Sequence, residues 1–471
     1  MSSEEALLLA PPTTNASAAA ARTASLAAVE SPAPEPAGET HAVLTQRFHA
    51  AIPGGAHTYA KGDDQFPEGI APYLVRADGC RVWDTERREY LEFGMGLRAV
   101  TLGHGFRPVV QAAQRELLRG TANVGRPTML ELRAAEDFLS TTQAGDMVKF
   151  AKNGSDATTA AVKLARAATG RDRVAICQDH PFFSTDDWFI GTTAVRAGIP
   201  WGVRQLTHTF RYNDLASVQQ LFEDHPDELA CLIMEVEKDV PPAPGFLQGV
   251  RQLCDQYGTV LIFDEIITGL RWHVGGAQAV HGVRPDLSTW AKALGNGFSI
   301  AALTGRRELM ELGGLHHDKE RVFLLSTTYG AESHALAAMR AVLTTYRREP
   351  VIEHLRQAGE YLRRLLAQSI AEHGLTGHFA LLGPPQCLVY ATRDAARQPS
   401  QGFRTLFLQE TLKRGLLLPS LIVSYAHQPA DIELAAERIH EALGVYRRAL
   451  DEGLDKYLHG RPVQPVYRAR N

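Results

Sequence analysis

Cysteine is scarce in this chain: five residues in 471, at Cys80, Cys177, Cys231, Cys254 and Cys387, with no CxxC spacing among them. That pattern excludes a cysteine-type zinc site and a disulfide framework, and it favours a reducing compartment, so a cytoplasmic protein is expected. No run of about 18 uncharged apolar residues occurs, so neither a membrane span nor a membrane partner is expected. Positive charge is not in excess. Lys and Arg number 49 against 53 Asp and Glu, a formal charge of −4, which excludes a protein that binds nucleic acid by neutralising its phosphates. His316-His317-Asp318 fails as a metal pattern, because adjacent histidines point apart and no third ligand is spaced to help. No metal is expected.

The first 45 residues are rich in Ala, Pro, Ser, Thr and Glu and almost free of aromatics. Such a stretch cannot bury enough apolar surface to offset its ordering entropy, and we read it as a disordered tail. Glu4 and Glu5 stand where a secretory leader would be basic, and Arg22 alone is too little for an organellar one. The whole chain is 45% apolar and 22% charged, and long enough for two large folding units or three ordinary ones.

What is present begins with short β signals at Tyr73–Val75, Arg81–Trp83 and Tyr90–Phe93, the first two joined by Asp78-Gly79. That pair tolerates positive φ and marks a hairpin, so the spacing predicts a small antiparallel meander. Helical patterns follow at Pro108–Arg119 and Met129–Thr141. From Met147 to Gly305 apolar runs (Met147–Phe150, Arg173–Cys177, Ala230–Met234, Thr259–Phe263) alternate with helix-length segments (Ala157–Thr169, Leu215–Phe222, Phe246–Tyr257). Strand and helix in alternation predict crossover units and a mostly parallel sheet buried on both faces. Ligands of such sheets sit beyond the carboxyl ends of the strands. The last part reads as a separate α+β domain, with helices at Glu332–Thr345, Val351–His373 and Pro429–Tyr446 and strands at Gln386–Thr392 and Leu416–Leu418. The organisation expected is a tail over 1–45, a meander segment over 46–110, a large domain over 111–345 and a small domain over 346–471.

The strand ends carry the chemistry. Thr259–Phe263 runs into Asp264-Glu265, and Lys292 follows within Trp-Ala-Lys-Ala-Leu-Gly. A lysine among Trp, Ala and Leu is desolvated, which lowers its pKa and makes it nucleophilic toward aldehydes. A buried carboxylate needs a cation, which a protonated pyridine nitrogen supplies. From spacing alone, an exposed helix lysine and a turn carboxylate fit equally well. After Met147–Phe150, Asn153-Gly154-Ser155-Asp156 enters a helix, and the free N–H groups there suit an anion; an ordinary helix cap fits the same residues. Ser326-Thr327-Thr328-Tyr329-Gly330 offers hydroxyls before another helix. Gly94-Met95-Gly96-Leu97-Arg98-Ala99 matches a loose dinucleotide pattern, but it leaves an antiparallel meander and no acid follows at the required distance.

These residues together resemble the class III aminotransferases of PLP fold type I, and within them the glutamate-1-semialdehyde aminomutase group. The resemblance spans about Ile52 to Leu450. Its most specific stretch is Leu261-Ile262-Phe263-Asp264-Glu265-Ile266-Ile267-Thr268-Gly269-Leu270-Arg271, followed by Val283-Arg284-Pro285-Asp286 and Lys292. The resemblance implies an α/β fold with a large domain around a seven-stranded, mostly parallel sheet and a smaller α+β domain. It also implies pyridoxal 5′-phosphate as cofactor, an amino donor and a carbonyl acceptor as substrates, and a homodimer with shared sites. By the same resemblance Lys292 forms the internal aldimine and moves protons, and Asp264 partners the ring nitrogen. Gly154 and Ser155 bind the phosphate, Phe182 stacks on the ring, and Thr328 reaches the neighbouring subunit's phosphate. Glu235 is an active-site glutamate.

The substrate half departs from the aminomutase pattern. Lys61 stands where that group has a carboxylate-gripping arginine, and the glutamate expected between Pro419-Ser420 and Ala426-His427 has no counterpart. His57, Lys61, Arg126 and Tyr329 are the candidates for substrate contact. The expected activity is amino transfer to or from a small aldehyde, ketone or ketosugar, with intramolecular amino transfer as the alternative and a dimeric binding scaffold as the non-enzyme one.

Overall fold

The computed structural model describes residues 39–120, 123–180 and 182–469. The tail read over 1–45 lies outside the described residues up to position 38. Its last part does not: a helix spans His41–Ala51, started by the Thr40 side chain accepting from the Val43 N–H. The chain divides into two compact units. Among the described residues, one comprises those up to Leu97 with Leu102–Phe106 and Glu353–Val466; the other comprises Arg98–Thr101, those between Arg107 and Ile352, and those from Tyr467 on.

In the first unit β1 (Leu74–Asp78) and β2 (Arg81–Asp84) pair antiparallel around the expected turn, where Gly79 takes a φ of +58°. β3 (Glu89–Glu92) continues the meander. The second unit holds β4 (Met147–Ala151), β5 (Arg173–Cys177), β6 (Thr207–Phe210), β7 (Leu229–Glu235), β8 (Val260–Asp264), β9 (Leu287–Trp290) and β10 (Ala301–Gly305). Back in the first unit, β11 (Phe379–Leu382) and β12 (Val389–Thr392) form a hairpin, and β13 (Leu416–Leu417) adds in parallel to β3. The strand expected from Gln386 is corrected at its start: Pro385–Cys387 is a 3-10 turn, where Pro supplies no ladder N–H.

The large sheet has the order β4-β10-β9-β8-β7-β5-β6. β10 runs antiparallel to both neighbours, while β9, β8, β7, β5 and β6 pair in parallel. This is the seven-stranded, mostly parallel sheet of PLP fold type I, as expected. β7 and β8 are buried along their whole length, which is why they read as continuous apolar runs. The helix Gly154–Thr169 packs its Ala- and Val-rich face on this sheet, its Ala157, Ala161, Leu164 and Ala165 sharing a core with Val174, Ile176, Ile233 and Ile262. The five cysteines are free and buried. No helix among the described residues is long and apolar enough to cross a membrane.

Candidate active site

Three neighbouring strands carry polar residues at one level, at or next to their carboxyl ends. β7 is apolar until Glu235 and β8 until Asp264. Glu235 lies opposite Asp264, and Asp264 opposite Thr289 of β9. Partners on parallel strands send their side chains to the same face, so two carboxylates and a hydroxyl share one face of the sheet at its carboxyl edge. Asp264 Oδ1 accepts from the Ile266 N–H at 2.9 Å and the Thr289 hydroxyl at 3.2 Å. Burial holds the Asp264 carboxyl far above the usual carboxylate range, and the neighbouring Glu235 adds to the effect. Burial also raises Glu235, whose Oε2 has no hydrogen-bond partner among the described residues.

The end of β7 is braced from behind. The Glu235 N–H donates to His180 Nδ1 at 3.0 Å. Burial pushes the His180 pKa down to about 3, with the Lys238 charge a smaller cause, so the ring is neutral and carries its proton on Nε2. Tyr212 packs on that ring at 5.1 Å and donates its hydroxyl to the Val236 carbonyl at 2.8 Å.

After β9 the chain turns at Lys292, which has a φ of +47° and opens a 3-10 turn through Leu294. Left-handed backbone in a lysine is uncommon and concentrates at functional positions. Trp290 is buried just before it, edge-on to Phe138 at 5.7 Å, with its indole N–H on Ser288 Oγ at 2.9 Å. Gly269 has to be a glycine, since a Cβ there would strike the Trp290 ring. Burial lowers the Lys292 pKa from its ordinary value of 10.5; the Arg98 charge pushes the same way, and Glu235 and Asp264 oppose it. The lysine therefore shares one electrostatic site with both carboxylates.

The loop carrying Arg98 is strained. Met95, Gly96, Leu97 and Arg98 all have positive φ, between +43° and +69°, at a cost of roughly 1–2 kcal/mol for each of the three that are not glycine. The fully buried Arg271 donates through Nη2 to the Arg98 carbonyl at 2.6 Å. Glu265 is fully buried as well. It accepts from the Ala277 N–H at 2.9 Å, the Gln278 N–H at 2.7 Å and the Thr268 hydroxyl, capping the short helix Gly276–His281, and burial pushes its pKa up to about 7.

At the start of the helix Gly154–Thr169, Asn153 and Asp156 form a reciprocal capping box. The box uses the Asp156 N–H, while Gly154 and Ser155, in the first turn, have no intrahelical acceptor for theirs. Gly154 packs directly against Ile266, two residues from Asp264, so this helix end adjoins the carboxylate row. Ser155 Oγ accepts from the Thr185 N–H at 3.1 Å, which ties the segment after Phe182 to the same helix end. Phe182 is 43% exposed, its ring edge-on to Phe189 at 5.6 Å. Thr328 is exposed in the loop before the helix Ser333–Arg348, and Gly330 of that loop lies beside the Phe150 carbonyl at the end of β4.

The second unit thus brings Lys292, Asp264 and Glu235 together and sets Gly154 and Ser155 beside them. Arg126 and Tyr329 belong to the same unit and are exposed; His57 and Lys61 belong to the other unit and are exposed there. Sequence reasoning missed His180 and Thr289, and it placed Gly94–Ala99 at the mouth of the site by resemblance without giving Arg98 a role of its own. His180 follows β5, a position that could have marked it; Thr289 lies in a strand too mixed in composition to be read, and the left-handed run that presents Arg98 has no sequence signature beyond Gly96.

The chain matches the aminotransferase class-III family over residues 64–377. It is 30% identical over 431 residues to a glutamate-1-semialdehyde 2,1-aminomutase of Desulforamulus reducens, covering 87% of this chain and 98% of that one. Among solved structures it is similar to the FumI protein of Sphingopyxis sp. MTA144 in its PLP internal aldimine form, with a TM-score of 0.80 and 26% identity over 88% of this chain and 98% of that one. An omega-transaminase of Sphaerobacter thermophilus superposes with a TM-score of 0.78 at 26% identity, over 88% and 99% of the two chains. A carboxylate row at the sheet's carboxyl edge, a pKa-lowered lysine beside it and this extended match lead to one conclusion: the chain belongs to the class-III aminotransferases, the pyridoxal-phosphate-dependent enzymes of fold type I.

Proposed function

We propose that this protein is a cytoplasmic aminotransferase that moves an amino group between an amino donor and a small aldehyde, ketone or ketosugar. The observation that carries this reading is Lys292, a lysine with a lowered pKa in the same electrostatic site as Asp264. The residues fit pyridoxal 5′-phosphate. A buried carboxylate raised out of its usual range suits a cationic ring nitrogen, Glu235 Oε2 is an orphaned acceptor, and the first-turn N–H groups of Gly154 and Ser155 suit a phosphate. When bound, the cofactor supplies an aldehyde carbon and a ring that delocalises the electrons left by proton removal.

The chain's own residues do the rest. Lys292 Nζ, held partly unprotonated by burial and by Arg98, would hold the cofactor; once the incoming amine has displaced it, the freed Nζ would take the proton from the amino-bearing substrate carbon and keep it for the return transfer. Asp264 keeps a proton at the ring nitrogen, and the bonds from Ile266 and Thr289 fix its orientation. Phe182 would cover the ring, and Glu235 would accept from polar groups near it. Thr328 would contact the phosphate held by the other copy in a homodimer, so that two subunits would share their sites. His57, Lys61, Arg126 and Tyr329 are proposed to contact substrate.

A second reading is intramolecular amino transfer, which the 30% identical aminomutase supports. The two differ in what they require. We expect the visible band of the loaded protein to bleach when a suitable donor is added and to return only with a carbonyl acceptor. Conversion of a single substrate to its positional isomer with no external donor would overturn the first reading in favour of the second. Lys292→Ala should lose the band and at least about a thousandfold in turnover, and a band that survives the substitution would remove Lys292 from its role.

A further inference from the structure

We propose that Arg98 binds a carboxylate of the substrate and so selects amino compounds that carry one over neutral amines. This rests on the aminotransferase reading above and narrows its substrate class. Arg98 is half-buried, and its Nε is shut off from solvent with no hydrogen-bond partner among the described residues. A guanidinium donor desolvated in this way needs an acceptor. The groups around it do not provide one. Its charge acts on Lys292, a cation, and on Glu235, whose Oε2 is itself without a hydrogen bond, so these two atoms do not satisfy each other.

The backbone explains why the side chain is held there. The left-handed run Met95–Arg98 would relax if it were free, and the buried Arg271 pins it by donating to the Arg98 carbonyl at 2.6 Å. Arg271 is thus a positioning residue, and Arg98 the contact it positions. A planar guanidinium also suits a carboxylate better than a lysine does, because its fork matches both oxygens. Thr101, three residues after Arg98, donates its N–H to Asn296 Oδ1 at 3.0 Å, so this loop adjoins the turn that Lys292 opens, and an anion of the substrate at Arg98 would lie within electrostatic reach of the lysine. A neutral ketosugar would leave the guanidinium unanswered.

The test uses the cofactor-loaded wild type, Arg98→Gln and Arg98→Lys. Each is titrated by calorimetry with straight-chain carboxylates from acetate to hexanoate and with the matching primary amides. We expect the wild type to bind at least one carboxylate at least about tenfold tighter than its amide. Arg98→Gln should lose that preference while binding the amides as before, and Arg98→Lys should keep part of it. In turnover of an amino acid against the corresponding amine, Arg98→Gln should raise KM for the amino acid and not for the amine, while loss of the cation that lowers the Lys292 pKa slows turnover of both. No carboxylate preference in the wild type, or an unchanged preference in Arg98→Gln, overturns the proposal. The visible band is recorded on all three proteins: a wild type that takes up no pyridoxal phosphate counts against the aminotransferase reading, whereas an intact band with an unchanged preference counts against Arg98 alone.

Discussion

At Lys292 the opposing charges set a direction that can be measured. The neutral amine is the nucleophile, so capture of pyridoxal phosphate by the cofactor-free protein should speed up as pH rises, with a midpoint below the ordinary lysine value of 10.5. Asp264 favours the ammonium, so Asp264→Asn should move that midpoint lower still; absorbance-monitored reconstitution across a pH series checks both shifts. The same substitution keeps an oxygen for the Ile266 N–H but removes the charge that holds the ring nitrogen protonated. Turnover should therefore fall by about two orders of magnitude or more while the fold persists. Burial and neighbouring charge are the causes, and neither belongs to the lysine itself.

Glu265 shows how an element next to the site is held. Its carboxyl caps the helix Gly276–His281 through two backbone N–H groups and takes the Thr268 hydroxyl. Burial raises its pKa from 4.5 to about 7, so the stabilisation from its uptake of a proton is complete below the ordinary value and is lost as pH rises through about 7. Glu265→Gln removes that dependence. It also turns an amide NH2 toward a backbone N–H, which should cost about 1–3 kcal/mol. Hydrogen exchange of Gly276–His281 should be faster in Glu265→Gln, and it should change less between about pH 5 and pH 8 than in the wild type. Unchanged protection would mean that Thr268 and the backbone hold the helix without this carboxylate.

At the scale of the whole molecule, the proposed sharing of sites between two copies can be tested by complementation. Lys292→Ala disables its own site, and Thr328→Arg would disable the site of its neighbour. Each variant alone should be nearly inactive. Dissociated together and reassociated at random, half the dimers would be mixed and would carry one complete site of two, so activity should recover to about a quarter of wild type. No recovery, with mixed dimers demonstrated by native mass spectrometry, would mean that Thr328 serves its own subunit.

Much of the second unit was legible because its signals are local. Arg173–Cys177 is an apolar run between breakers, and the helix to Thr169 has its cap and its periodicity in adjacent residues, which is enough to read a buried strand and a crossover helix. β6, β9 and β10 were not read. Thr207–Phe210 alternates too briefly, and Leu287–Trp290 and Ala301–Gly305 mix polar and small residues whose burial comes from neighbours distant in the chain. The hairpin at Asp78-Gly79 was legible for the same reason as the helix, because its turn chemistry lies in two consecutive residues.

The sequence by itself singled out Lys292, Asp264, Gly154 and Ser155 as the candidates for chemistry, since they sit in patterns that spacing and resemblance can read. Only the tertiary structure decided that Glu235, Asp264 and Thr289 fall in one row, that His180 braces the first of them, and that the Arg98 charge acts on the lysine. The physical reason is that strand register, desolvation and left-handed backbone arise from contacts between segments far apart in the chain, and no window of sequence contains both sides of such a contact.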